Sequence, residues 1–264
     1  MDELPQETIG EIATCLDEYD LRNLSLVSHT FVAESQRQIF RTIAFHHSRI
    51  FLQWYQRITP VHPIIPFYVK SFFISFGPGF HNPPTQDEQD CYMMASKIFA
   101  SFANLERIHL HNLTLSQPHQ FSMVSNFSVS APSLQYLRID ESRCSPGLMA
   151  KFIYLFPHLD DLYMENVKPT DIQPYNFPTH PPSFRGYGRF TPGSQYGSHL
   201  RRFPFRFKDL HLDLFTTDRA AVLDEQTVST LNEFFVTCAP TLEHLTFYGG
   251  PPPLYPPLEI IESI

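Results

Sequence analysis

The amino-acid sequence predicts an α/β fold in two parts. A short helical start is followed by an array of strand and helix units that forms an irregular solenoid with a parallel sheet on its concave face. Two observations predict this. Over the first forty residues apolar side chains recur at three- and four-residue steps, the spacing that keeps one face of a helix apolar. Beyond residue 60 one short pattern, apolar-x-x-apolar-x-apolar, returns again and again, often just after a proline.

The first helix follows from Pro5, which suits a first helical position because its missing N–H has no partner there, and from Ile9, Ile12 and Leu16 on one face. Asp20 is positioned to cap a second helix, along which Leu21, Leu24 and Val27 fall at three-residue steps. Ser28 or Thr30 opens a third, running to about Phe40. Helices this short offset nucleation and ordering entropy only by packing on something else.

The repeated pattern occurs at Val69-x-x-Phe72-x-Ile74, Leu105-x-x-Ile108-x-Leu110, Leu134-x-x-Leu137-x-Ile139, Leu159-x-x-Leu162-x-Met164, Phe207-x-x-Leu210-x-Leu212 and Leu242-x-x-Leu245-x-Phe247, with a degenerate copy at Phe184 and Tyr187. Their starts lie 36, 29, 25, 25, 23 and 35 residues apart. Ala131-Pro132-Ser133, Phe156-Pro157-His158, Pro181-Pro182-Ser183 and Ala239-Pro240-Thr241 precede four of them. Proline cannot continue a helix and biases its predecessor toward extended geometry, so each unit reads as helix, break, strand. Helices are expected over Gln86 to Phe102, Gly147 to Phe156 and Glu225 to Cys238. Such units bury their apolar sides only against neighbours, which is what makes a solenoid; a globular α/β domain with leucine-rich strands is the alternative.

Side chains alternate across a strand, so with the pattern residues in the core the residues between them form the open face. That face carries Ser71, Phe73, Arg107, His109, His111, Tyr136, Arg138, Asp140, Asp161, Tyr163, Glu165, Asp209, His211, Asp213, His244, Thr246 and Tyr248. Arginines come early and acids late, an expected polarity that would attract a basic partner segment to the acidic half. The candidate partner-binding residues are Arg107, His109, Tyr136, Arg138, Asp161, Tyr163, Asp209, His211 and Tyr248. Residues 168–204, rich in proline, glycine and aromatic residues, read either as a loop over the array or as an irregular repeat.

Composition narrows the function classes. Net charge is −8 without a basic run, so the electrostatic attraction that nucleic-acid binding relies on is missing. Charged residues are only 17%, against 25 phenylalanines and 24 prolines, a balance that leaves aromatic surface for protein partners. Cys15, Cys91, Cys144 and Cys238 form no C-x-x-C pair and are expected to be buried, reduced thiols; no metal site or cofactor is expected. No leader or membrane-spanning run is visible, which gives an expectation of a cytoplasmic or nuclear protein. The best constellation for catalysis is His211 with Asp213, near His244, but no nucleophile motif, phosphate loop or metal spacing accompanies it. No catalytic residue is assigned, and a hydrolase is the remote alternative.

Leu4, Pro5, Ile9, Ile12, Leu16, Leu21, Leu24, Val27 and Phe31 together resemble an F-box, the three-helix hook by which substrate receptors of cullin-RING ubiquitin ligases hang on a Skp-family adaptor; Phe31 stands where the family often has tryptophan. The rest of the chain is similar to the loose leucine-rich repeats that commonly follow an F-box, although the asparagine or cysteine usual after the strand is largely absent and Asn112 and Asn166 fall one position early. This resemblance implies an F-box over residues 1–45 and a leucine-rich-repeat-like domain over 46–264. It implies a non-catalytic receptor of an SCF-type ligase, those nine residues meeting the adaptor and the repeats holding a protein substrate. A leucine-rich scaffold whose first helices merely cap the array is the other reading.

Overall fold

The computed structural model describes residues 4–58, 62–75, 101–115, 133–165, 167–170, 183–190, 206–214, 228–229, 232, 235–236 and 239–248. Three helices come first: α1 (Gln6–Thr14), α2 (Glu18–Val27) and α3 (His29–Ile39). Pro5 sits one position earlier than expected, at the N-cap in extended geometry, and its carbonyl accepts from the Ile9 N–H at 3.1 Å. The expected cap of α2 is also corrected. Asp17, not Asp20, has the extended backbone of a cap, and its Oδ1 accepts from the Asp20 N–H at 2.8 Å. Asp20 lies in the first turn, where a carboxylate still complements the helix dipole.

Ile9, Ala13 and Leu21 are buried among these helices. So is Glu34, whose Oε1 accepts from Arg37 Nε at 3.1 Å and Gln38 Nε2 at 2.9 Å. Gly10 packs over that carboxylate, the site of an absent Cβ lying 3.9 Å from the same oxygen.

The chain continues through β1 (Thr42–Phe45), α4 (Ser48–Ile58), α5 (Ile65–Tyr68), β2 (Ser71–Ser75), β3 (Arg107–His111), β4 (Thr114–Leu115), β5 (Tyr136–Asp140) and β6 (Arg143–Cys144). Then come α6 (Pro146–Ile153), β7 (Asp161–Glu165), β8 (Lys168–Pro169), β9 (Ser183–Phe190), β10 (Arg206–Leu214) and β11 (His244–Tyr248). The architecture is mixed α/β: a helical N-terminal segment followed by a parallel sheet ordered β1-β2-β3-β5-β7-β9-β10-β11, with a second, short parallel ladder β4-β6-β8.

The register explains the sequence pattern. Ile43, Phe72, Ile108, Leu137 and Leu162 form one row across the sheet, and Phe45, Ile74, Leu110, Ile139 and Met164 a second, all buried. Burying each such side chain contributes about 1.5–3 kcal/mol relative to exposure. Phe51, Phe72 and Phe102 continue the core, with Phe51 and Phe102 each 5.6–5.8 Å from the Phe72 ring. Strand β1 went unrecognised in the sequence. The boundary expected at residue 45 assigns it to the helices, yet Ile43 and Phe45 pair in register with Phe72 and Ile74 of the sheet.

The segment 168–204 contains strands, as its reading as an irregular repeat expects, whereas the register of its degenerate copy is revised. Residues 183–190, placed in the irregular segment 168–204, are a strand of the main sheet, as are 168–169 of the second ladder; 171–182 and 191–204 lie outside the described residues. Within β9, Phe184 aligns with Phe207 and both are buried, but Tyr187 aligns with Tyr163 and His211, so it does not occupy a core row. Gly186 and Gly188 stand in the register positions that neighbouring strands fill with Leu162, Leu210, Met164 and Leu212. Helix α6 covers most of the expected Gly147 to Phe156, and Val228, Ser229, Asn232, Phe235 and Val236 are helical within the expected Glu225 to Cys238. Of Gln86 to Phe102 only Ser101 and Phe102, in a turn, lie within the described residues.

The path from main sheet to second ladder turns on Asn112 and Glu141, with φ of 57° and 45°. Left-handed backbone costs a side-chain-bearing residue about 1–2 kcal/mol. Hydrogen bonds offset it: the Asn112 N–H donates to the Asp140 carbonyl at 3.0 Å and the Glu141 N–H to the Glu165 carbonyl at 2.8 Å. Just beyond, buried Ser142 Oγ donates to the Asp140 carbonyl and accepts from the Leu113 N–H. Asn112 therefore serves a corner in the backbone.

Cys144 is buried and free, as expected, whereas Cys15 is free but exposed at the end of α1, a correction that follows from its place beyond the apolar helix face. Cys91 and Cys238 lie outside the described residues. Among the described residues no helix is long and apolar enough to cross a membrane.

Candidate functional site

The nine hook residues divide by their surroundings. Leu4, Pro5 and Ile12 are exposed, Leu16, Leu24 and Phe31 half-buried, and Ile9 and Leu21 buried; Val27 is the last residue of α2. Two side chains outside those nine are more exposed than Leu4 or Ile12: Tyr19 at 72% and Leu26 at 83%. Both lie off the three-residue steps that picked out the rest, and the signal for Leu26 was its place in the apolar run Leu24-Ser25-Leu26-Val27.

The open face of the sheet is built by alternation: in β2, β3, β5 and β7 the residues between the core rows remain partly or fully accessible, apart from buried Asp140 and Ser75. One row across the sheet runs Ser71, Arg107, Tyr136, Asp161, and the next runs Phe73, His109, Arg138, Tyr163. A third runs Ser75, His111, Asp140, Glu165. The structure thus brings Arg107, His109, Tyr136, Arg138, Asp161 and Tyr163 together as neighbours. Asp209, His211 and Tyr248 hold the corresponding register positions on β10 and β11.

Most charges at the centre of this face are answered within it. Asp140 Oδ2 meets His109 Nε2 at 2.6 Å and accepts from Arg138 Nε at 2.8 Å, while Arg138 also donates to Glu165 Oε2 at 3.3 Å. Asp140 Oδ1 is buried with no hydrogen-bond partner among the described residues. Burial disfavours the Arg138 cation, but Asp140, Tyr136 and Glu165 outweigh it and raise its pKa further. Arg107 is different: it is exposed, its guanidinium lies 5.2 Å from the Tyr136 ring centroid, and it makes no ion pair among the described residues. Tyr136 lies 4.9 Å from the Tyr163 ring, and burial foremost pushes its hydroxyl pKa up to about 12, so the proton stays on.

Phe73 is an aromatic, apolar member of the face. Its ring meets His109 edge-on at 4.6 Å and lies 5.0 Å from His46. Sequence alternation found Phe73 but gave no hint of His46, which lies one residue past β1.

Register weakens the expected division into basic and acidic halves without removing the acidic excess of the later strands. Arg185 falls between Asp161 and Asp209, and Arg189 between Glu165 and Asp213. The irregular strand β9 supplied neither to the sequence reading because its copy of the pattern was degenerate. His211 and Asp213 lie two residues apart on β10 and His244 on the adjacent β11, as expected; in register His244 aligns with Asp209, and His211 with Tyr187 and Thr246. Elsewhere Ser75 Oγ lies 3.1 Å from His111 Nδ1, and His111 Nε2 lies 3.6 Å from Glu141. The second distance exceeds a hydrogen bond and Ser75 is buried, a poor setting for a nucleophile. No group of three metal-ligating side chains occurs among the described residues. No protein-family model matches the chain, and no curated protein matches it.

Proposed function

We propose that the chain is a non-catalytic substrate receptor of an SCF-type ubiquitin ligase. On this reading α1 to α3 are an F-box that binds a Skp-family adaptor, the sheet is the concave wall of an irregular leucine-rich-repeat-like solenoid, and its open face holds a protein substrate. The chemistry belongs to other subunits; this chain contributes proximity, raising the effective concentration of substrate beside the conjugating enzyme.

The observation that carries the reading is the joining of two unlike surfaces. Three short helices leave Leu4, Ile12, Tyr19 and Leu26 exposed, an excess of apolar side chains in need of a partner. Directly after them, strands stack in chain order with matched core rows, leaving a polar and aromatic face. A partner on each surface makes the chain a bridge, and its site is the cytoplasm or nucleus, where such ligases work.

Co-purification with a Skp-family adaptor tests this. The wild-type chain is expected to capture it, and the double variant Leu4→Asp, Ile12→Asp to lose about tenfold or more in affinity. Both positions are exposed, so the variant keeps its fold, which circular dichroism checks. A wild-type chain that ignores the adaptor, or a folded double variant that binds as tightly, leaves the scaffold reading in its place.

A further inference from the structure

Arg107 stands apart from the other charges of the open face. Arg138 is held by two carboxylates, His109 by Asp140, and Lys70 by Glu106 at 2.6 Å, so each has its opposite charge or acceptor within the protein. Among the described residues Arg107 has the Tyr136 ring beneath it and no carboxylate partner. Stacking on an aromatic ring restrains a guanidinium without using its N–H donors, which leaves a fork preorganised for a planar anion. Its register neighbours are Ser71 on β2 and Tyr136 on β5, each carrying a hydroxyl. One register row away Phe73 offers a half-buried ring.

We infer that the open face of β2, β3 and β5 binds an extended peptide carrying one anionic side chain, held by Arg107 with Ser71 and Tyr136, next to an apolar side chain laid on Phe73. This rests on the reading of that face as the one that holds substrate, and it names the substrate class. Charge complementarity selects this occupant. A basic peptide finds Asp140 and Glu165 already engaged and meets an unanswered cation at Arg107, whereas an anionic side chain supplies the missing partner. Tyr136 keeps its proton at neutral pH and remains a donor. A carboxylate and a phosphorylated hydroxyl share this chemistry, and phosphate offers more acceptor oxygens to the fork.

The test uses the full chain and four fluorescent capped peptides, Ac-Ala-Phe-X-Pro-Ala-NH2, with X as phosphoserine, glutamate, glutamine or lysine, followed by anisotropy. The glutamate or phosphoserine peptide is expected to bind about tenfold or more tighter than the glutamine one, with lysine weakest. Phosphoserine well ahead of glutamate assigns the site to a phosphorylated partner; near equality assigns it to an acidic one. In Arg107→Ala the anionic preference should vanish, while Arg107→Lys keeps part of it, and Phe73→Ala should weaken the anionic and glutamine peptides alike. Equal binding of all four peptides, a preference for lysine, or a preference that survives in folded Arg107→Ala overturns the inference. Adaptor capture is measured on the same samples. Capture without the anionic preference removes this inference alone; the preference without capture removes the ligase reading and leaves a peptide-binding face.

Discussion

In the middle of the main sheet Phe72, Ile108, Leu137 and Leu162 are sealed from solvent, whereas in the three N-terminal helices Tyr19 and Leu26 are mostly exposed. Both regions are rich in apolar residues. They differ in how many neighbours each element has. A strand such as β5 is flanked by β3 and β7 and packed from behind, so its pattern residues close over completely. Three short helices have too few surfaces to cover one another, and part of their apolar complement remains outside. Apolar content alone therefore does not separate core from interface; the number of packed neighbours does.

The contrast breaks most sharply under truncation. Leu137→Ala is expected to cost about 2–5 kcal/mol in urea unfolding, because it opens a cavity where nothing can collapse inward. Leu26→Ala should stay within about 0.5 kcal/mol of wild type in the free protein. A comparable loss at both positions would mean that the helices share the sheet's core.

Polar pairs sharpen the same comparison at smaller scale. Asp140, buried and joined to His109 and Arg138, should cost roughly 1–3 kcal/mol when replaced by alanine, since His109 loses its carboxylate and Arg138 keeps only the longer link to Glu165. The Glu18–Arg22 pair on α2 is exposed on both sides, and Glu18→Ala should change stability by no more than about 0.5 kcal/mol. Denaturation at low and high salt separates them further, only the exposed pair being sensitive to screening.

A further expected effect is alkaline. Burial pushes the Cys144 thiol above its ordinary pKa, so the folded chain holds that proton after the unfolded chain has released it. This contribution is fully present below about pH 8.5, the pKa of an unfolded thiol, and is lost as pH rises beyond it. Tyr136 adds to the loss between its ordinary 10.0 and about 12. Urea midpoints should fall from about pH 8 to about pH 10, and Cys144→Ala should flatten that slope. Exposed Cys15, by contrast, should react with a thiol reagent in the native protein while Cys144 waits for unfolding.

Much of the sheet was legible because its grammar is local. Leucine-rich hexads located β2, β3, β5, β7, β10 and β11 within a residue or two, since a core row and a strand period leave one arrangement of those residues. β1 carries a full copy of the pattern in Phe40, Ile43 and Phe45, but Phe40 also fits the end of the third helix, which hides the strand, and in β9 Gly186 and Gly188 stand where apolar side chains mark the other copies. The outward residues could be named from alternation. Their partnerships could not, because the links from Arg138 to Glu165 and from His109 to Asp140 cross strands, and their meaning depends on register. The cap of α2 went to the wrong aspartate for a similar reason: two aspartates three residues apart both fit a cap, and only backbone geometry distinguishes them.

The chain-order sheet has a consequence for how the protein is made. Partners across it are separated by as few as 23 residues, from Ser183 to Arg206, and by at most 36, from Ser71 to Arg107. No strand of the main sheet waits for a distant one. During synthesis each new strand can zip onto the edge already present as it emerges from the ribosome, so the search for the native state is divided into short steps of low contact order. The same arrangement tolerates connections of unequal length, because an added stretch between two strands lengthens one step and leaves the others as they were.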